Sequence, residues 1–245
     1  MAGRWEGKAA IVTGRAAGIG EAISHKFAME AAKVVVNGLP GDPVDEVVQA
    51  VEQYGSEAVT YKGDISQTEE AQACLQAEID RYSKLDILVN KAGVFLVIAE
   101  TQGYLIDLFD RTLQMNLRSA CLMTKFALPH LQQSRGNIVS AESEAGFNGL
   151  ANNTTYGGTK SWMNAFMKGV AVEQAKYVAS GRIVFVRGRA ILRGPTKRRD
   201  PWTSRWKKRL CRLRRWDDGA LLKRWSMFTP LWPLMKRATS PEPSG

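Results

Sequence analysis

The sequence predicts an α/β fold in a single domain: a doubly wound parallel sheet between two layers of helices. Three observations carry this. Strand-like and helix-like stretches alternate through the first 177 residues. A short apolar run ends in a glycine-rich turn that opens a helix. The length, 245 residues, fits one α/β core and leaves little for a second domain.

Taken in order, residues 8–12 (KAAIV) read as a short buried strand. Thr13, Gly14, Arg15, Ala16, Ala17, Gly18, Ile19 and Gly20 form the turn that leads into a helix over 21–30. Residues 33–37 are rich in valine and strand-like, and 43–54 place Val44, Val47, Val48 and Val51 on one helical face. A third strand is predicted at 57–61, a helix at 68–82 and a buried strand at 86–89. A mainly helical stretch follows at 103–132, where Pro129 is expected to bend or interrupt the end. A fifth strand over 137–141 and a helix over 155–177 complete the pattern.

Chemistry gathers in the last helix. Tyr156 and Lys160 are four residues apart, so on a helix they share a face. A phenol titrates near 10, and bringing it toward neutrality by roughly three units, about 4 kcal/mol, needs a positive charge nearby. Lys160 is placed to supply it. Ser143 lies thirteen residues upstream and Asn116 twenty-seven before that. At the other end of the chain, Gly14, Gly18 and Gly20 allow a tight turn, let the backbone approach a pyrophosphate and direct a helix N-terminus at its charge.

Together these residues resemble the short-chain dehydrogenase/reductase family, from about Gly7 to Tyr177. The elements come in the family's order: the glycine turn, Asp64 and Ile65 after a strand, Asn90, Lys91, Ala92 and Gly93, then Asn116, Ser143, and Tyr156 with Lys160. The stretch 136–146 looks like the family's fifth strand and following loop, which puts Ser143 in the catalytic slot and leaves Ser140 structural.

The resemblance implies a Rossmann-like α/β/α domain and a hydride moved between nicotinamide and a carbonyl or secondary alcohol. Tyr156 would be the general acid and base, and Ser143 the group that holds the substrate oxygen. Lys160 would depress the phenol pKa and bind the nicotinamide ribose, while Asn116 would hold a water that links Lys160 to solvent. Asp64, followed by Ile65, would receive the adenine amine, and Asn90, Ala92 and Gly93 would line the cofactor channel.

The NAD-selecting acid of such folds stands about twenty residues past the glycine turn. Gly38 holds that slot here, and Arg15 within the turn suits a 2′-phosphate, so NADP(H) is favoured over NAD(H). Lys91 stands where the family usually has a second asparagine, a change expected to affect packing at the end of the fourth strand and leave the chemistry alone. Members of the family are often tetramers built through the helices that correspond to 103–132 and 155–177, which implies a homo-oligomer, dimer or tetramer.

Composition sets further bounds. Cys74, Cys121 and Cys211 are odd in number and lack metal-ligand spacing, which points to a reducing compartment and no metal. With no apolar run of eighteen residues and no signal-like N-terminus, the expected location is cytoplasmic. Charge divides sharply along the chain. Residues 1–177 carry 16 Lys and Arg against 20 Asp and Glu, whereas 178–245 carry 18 against 4.

The family pattern stops with that change. It calls for a Gly-Ile-Arg-Val-Asn-x-x-x-Pro-Gly stretch after the catalytic helix, and this chain has residues 178–188 (VASGRIVFVRG) and then a sequence rich in arginine and tryptophan. Codons formed from the third base of one residue and the first two of the next, from the junction of Val178 and Ala179, are permitted to read Gly, Val, Arg, Ala or Thr, Asn, three variable residues, Pro and Gly. The expectation is a shifted reading frame after Tyr177, with a catalytic domain over 1–187, a basic tail of atypical sequence over 188–245, and incomplete C-terminal strands.

The contrasting reading is a functional tail on a non-enzymatic or inactive relative. Trp206, Leu210, Leu213 and Trp216 have helical spacing amid arginine and lysine, as in helices that bind anionic membranes or nucleic acid.

Overall fold

The computed structural model describes residues 3–14, 18–95, 106–148, 152–175 and 183–188. Arg15 and the basic tail beyond Gly188, including the helix expected around Trp206 and Trp216, lie outside the described residues.

The sheet alternates with helices as the sequence predicts. β1 is Ala9–Val12, α1 Ile19–Met29, β2 Lys33–Gly38, α2 Val44–Glu52, β3 Ala58–Lys62, α3 Thr68–Tyr82 and β4 Ile87–Asn90. Then follow α4 Ile106–Leu113, a π-helical turn Gln114–Arg118, α5 Ser119–Ser134, β5 Asn137–Ser143, a 3₁₀ turn Glu144–Gly146, α6 Thr154–Gln174 and β6 Ile183–Gly188. The six strands pair in parallel in the order β3-β2-β1-β4-β5-β6. The chain therefore reverses its direction of travel between β1 and β4, and in such sheets ligands bind at the carboxyl ends of the strands beside that reversal.

Period-two alternation divides the core between the two faces. Ile11, Val35 and Leu88 point to the side packed by α3, α5 and α6, with Met123 and Met167. Val12, Val34 and Val36 point to the other side, where Val44, Val47, Val48 and Val51 of α2 meet them. Burying strands on both faces is what makes β1 and β2 read as nearly continuous apolar runs.

Three elements differ from expectation. Residues 106–134 are not one helix, because the π turn interrupts it at Gln114–Arg118. Pro129 does not end α5, which runs through it to Ser134; proline removes a single ladder hydrogen bond, and Ala127 and Leu131 on either side are buried in the core. β5 extends two residues past Ala141, so Ser143 is its last residue. Residues 183–188 occupy the sixth-strand position, with Ile138 paired to Ile183 and Ser143 to Gly188.

Candidate active site

The site begins where β1 and β4 end. Thr13 Oγ1 donates to the Val89 carbonyl at 3.0 Å and accepts from the amides of Lys91 (3.1 Å) and Ala92 (3.2 Å). This ties the glycine turn to the 90–93 segment. Gly14, at φ 83°, lies so close to it that a Cβ there would be 2.2 Å from Ala92 Cα, so glycine is required by both conformation and space. Asn37 completes the junction: its amide nitrogen donates to the carbonyls of Gly38, Tyr61 and Gly63, and its oxygen accepts from Gly14 N. Thr13 and Asn37 escape a motif search, although each is a polar residue that ends an apolar strand.

Gly18, at φ 69°, opens α1, and nothing comes within 4 Å of the place a Cβ would occupy. Ile19 is about half exposed and Gly20 is buried. The Glu21 carboxylate accepts from Gly18 N at 3.2 Å, and the glycines at 18 and 20 leave the rest of this helix N-terminus free of bulk, as a dinucleotide pyrophosphate needs. At the end of β2, Gly38 is packed under Val44 and Asp42; a Cβ there would lie 2.6 Å from Val44 Cγ2 and 3.2 Å from Asp42 Oδ2. Asp42 in turn accepts from Leu39 N at 2.9 Å.

Asp64 follows β3 and accepts from Ser66 N, while Gln67 caps α3, so Asp64 is not the helix cap. It lines a cleft with Leu39, Asp107, Asp110, Arg111 and Gln114. Ile65 is buried in the core, leaving only its backbone for a ligand. Asn90 is buried and donates to Thr124 Oγ1 at 3.1 Å, and its side-chain oxygen has no hydrogen-bond partner among the described residues.

Asn116 lies in the π turn and is buried. Its oxygen accepts from Val94 N at 2.7 Å, and its nitrogen donates to Val94 O at 3.0 Å and Thr159 Oγ1 at 3.1 Å. Gly93 packs against it, with a hypothetical Cβ 2.9 Å from Asn116 Oδ1. The Asn116 amide thus joins the 93–94 segment to α6.

Ser143, Tyr156 and Lys160 come together across β5 and α6. The 3₁₀ turn after Ser143 lies directly on α6: a Cβ on Gly146 would be 2.8 Å from Lys160 C, and one on Gly157 would be 2.8 Å from Ala145 O. Ser143 Oγ accepts from Ala145 N, and Ser143 hydrogen-bonds the Tyr156 phenol. Phe95 stands edge-on to the Tyr156 ring at 4.7 Å between centroids. Ser140 is fully buried beneath, its hydroxyl without a partner among the described residues.

Electrostatics here differ from expectation. Burial raises the Tyr156 pKa above that of a free phenol, and the Ser143 hydrogen bond works against this. Lys160 Nζ is 5.6 Å from the phenol ring centre and donates to the Ala141 carbonyl at 2.8 Å. Burial, and then the charge of Lys91, push Lys160 down to about 8, with Glu142 acting in the opposite sense. Glu142 is buried beside Asn164, whose amide nitrogen, correctly oriented, is 2.5 and 2.7 Å from the two carboxylate oxygens. The charge of Lys91 thus bears on Lys160.

A glycine turn at the switch point of a parallel sheet, with Tyr156 and Lys160 beyond the next strands, defines the Rossmann class of dinucleotide folds. The family model described as short chain dehydrogenase matches residues 8–188. The chain belongs to this family of NAD(P)-dependent oxidoreductases.

An uncharacterized oxidoreductase of Bacillus subtilis (strain 168), YxbG, is 31% identical over 174 residues, which are 71% of this chain and 64% of that protein. L-fucose dehydrogenase of Rattus norvegicus is 34% identical over 175 residues, 71% of this chain and 63% of that protein. The chain thus spans less than two thirds of either relative. Among solved structures, NAD+-bound xylitol dehydrogenase matches with a TM-score of 0.71 and 26% identity, over 76% of this chain and 73% of that one. Among the described residues, no helix is long and apolar enough to cross a membrane, and no group of three potential metal ligands occurs.

Proposed function

We propose that this chain transfers a hydride between the nicotinamide of NAD(P) and a carbonyl or secondary alcohol, with Tyr156 as general acid and base. The observation that carries the reading is the convergence of Ser143, Tyr156 and Lys160 through a turn packed directly against α6. When bound, the dinucleotide supplies the hydride. Tyr156, whose raised pKa keeps its phenol protonated at neutral pH, gives its proton to the substrate oxygen in reduction and takes it back in oxidation. Ser143 donates to the same oxygen. Lys160 holds the nicotinamide ribose hydroxyls, and Asn116 fixes the 93–94 backbone that borders the channel.

Which dinucleotide it prefers turns on the end of β2. The bare Gly38 and Arg15 favour NADP(H), but Asp42 returns a carboxylate to within 3.2 Å of the place a Gly38 side chain would occupy. We therefore read Asp42 as the acceptor for an adenosine ribose 2′-hydroxyl, which supports NAD(H), the form that the xylitol dehydrogenase neighbour holds. Asp42→Asn keeps an oxygen for Leu39 N, removes the charge and is expected to move preference toward NADP(H). An unchanged ratio of affinities would place Asp42 away from the ribose.

The substrate is a small carbonyl or alcohol, and sugars and polyols come first for screening because of the fucose and xylitol dehydrogenases among the similar proteins. Cys74 and Cys121 are free thiols, which suits a cytoplasmic location. The stacked Trp162 and Phe166 and the exposed Val172 on α6 support a homo-oligomer built through this helix. Titrating NADH and NADPH into the purified chain tests the reading: saturable binding supports it. Salt-sensitive binding to nucleic acid or anionic vesicles without dinucleotide binding would favour the tail-based alternative.

A further inference from the structure

The π turn Gln114–Arg118 holds two parts of the site at once. Asn116, at its middle, bonds Val94 and Thr159 and so grips the catalytic side. Arg118, its last residue, reaches the other way: Nη1 donates to the Ser66 carbonyl, and Nη2 donates to Thr68 Oγ1 at 3.0 Å. These two acceptors straddle Gln67, the residue that opens α3.

What the guanidinium grips is the segment that presents Asp64. Ser66 is buried, its amide donates to Asp64 Oδ1 at 3.0 Å, and the Asp64 carbonyl accepts from Gln67 N at 2.9 Å. Among the described residues nothing else bonds the Asp64 carboxylate, which leaves Oδ2 to accept from a ligand. That carboxylate lines the cleft whose other walls include Leu39, after β2, and Gln114 and Met115 of the same π turn. An anionic acceptor in a cleft with two apolar side chains suits a purine that carries an exocyclic amine.

We propose that Arg118 is a positioning residue for the dinucleotide: by holding residues 66–68 it sets Asp64 against the adenine. The proposal rests on the reading of the chain as a dinucleotide-dependent oxidoreductase. A guanidinium suits the task because its planar fork fixes two acceptors at once, whereas an ammonium is a point charge on a flexible stem. Arg118 is itself exposed, so its removal opens no cavity in the core and the effect falls on binding. With Asn116 two residues away, one turn sets the adenine end of the site relative to its catalytic end.

The test is a double-mutant cycle on affinity, with NADH and AMP titrated into wild type, Arg118→Ala, Asp64→Ala and the double variant, and with Arg118→Lys alongside. Arg118→Ala is expected to weaken both ligands about tenfold, with a melting temperature near that of the wild type. Because Arg118 acts through Asp64, the double variant should bind no more weakly than Asp64→Ala alone. Arg118→Lys keeps the charge and loses the fork, so its affinity should fall between wild type and Arg118→Ala; it carries the same cycle if Arg118→Ala does not fold. Losses that multiply in the double variant would put Arg118 and Asp64 on separate paths and overturn the proposal. Wild-type affinity in Arg118→Lys would reduce the effect to charge and overturn it too. Saturable NADH binding by the wild type with an unchanged Kd in Arg118→Ala overturns the role of Arg118 and leaves the oxidoreductase reading standing. A wild type that binds neither ligand overturns both.

Discussion

Burial tightens the hold of the Tyr156 phenol, protonated at neutral pH in any case, on its proton. A buried phenol holds its proton more tightly than a free one, so at neutral pH it is an acid ready for reduction, and oxidation, which needs the phenolate, should quicken as pH rises. Lys160 behaves in the opposite way. Its ammonium, lowered to about 8, is charged below that pH and lost above it, so kcat/KM for reduction is expected to fall as pH rises through about 8. A pH profile flat across that range would remove Lys160 from the ribose contact.

Glu78 offers a test of stability at the same scale. It is wholly buried on α3, and neither carboxylate oxygen has a partner among the described residues. Burial, and then the charge of Asp86, raise it from 4.5 to about 9. The folded state thus binds a proton that the unfolded state has released between those values, and stability must decline as pH rises across that window. Glu78→Gln should lose this slope and gain on wild type from the acidic end to the alkaline end. Parallel denaturation curves for the two proteins across the window would mean that Glu78 is ionised and paired.

At the scale of elements, the site depends on two contacts that hold loops against α6. The Asn116 amide joins Val94 to Thr159, and Gly146 and Gly157 let the turn after Ser143 meet the helix backbone. Asn116→Ala would strand the Val94 amide and carbonyl, each at about 1–3 kcal/mol. The expected outcome is a lower melting temperature and a loss of turnover larger than the loss of dinucleotide affinity. Gly146→Ala should act similarly, by forcing Ser143 away from Tyr156. Wild-type kinetics in Gly146→Ala would mean that the turn does not set the position of Ser143.

These contacts also mark where the sequence stops being legible. β1, β2 and α2 could be read from it because burial on both faces makes a strand uniformly apolar, and a helix face repeats Val44, Val47, Val48 and Val51. The shared face of Tyr156 and Lys160 followed from their spacing, whereas Ser143 was singled out by the resemblance of 136–146 to the family's fifth strand and loop. The π turn gave no such sign, because Gln114–Arg118 contains nothing that a regular helix would reject. The upward shift of Tyr156 was missed because burial is a property of the assembled site.

For the whole molecule, the abrupt change after Tyr177 bears on stability. β6 pairs with β5 over residues 183–188, and no strand beyond it exists among the described residues to cover its far edge. We propose that residues 188–245 are the product of a shifted frame attached to a catalytic domain over 1–187. A chain rebuilt in the alternate frame from residue 178 should melt higher and aggregate less. Sequencing the DNA across codons 177–188 decides the origin: an alternate frame without Asn-x-x-x-Pro-Gly would make the basic tail a feature in its own right.

The central claim is that dinucleotide-dependent hydride transfer runs through the Tyr156 proton, and the most direct measurement is NAD(P)H oxidation against a panel of sugars and small ketones by wild type and Tyr156→Phe. The account predicts turnover by the wild type and a kcat lower by about 10²–10⁴-fold in the variant, with dinucleotide affinity unchanged. Equal turnover in the two proteins would contradict it.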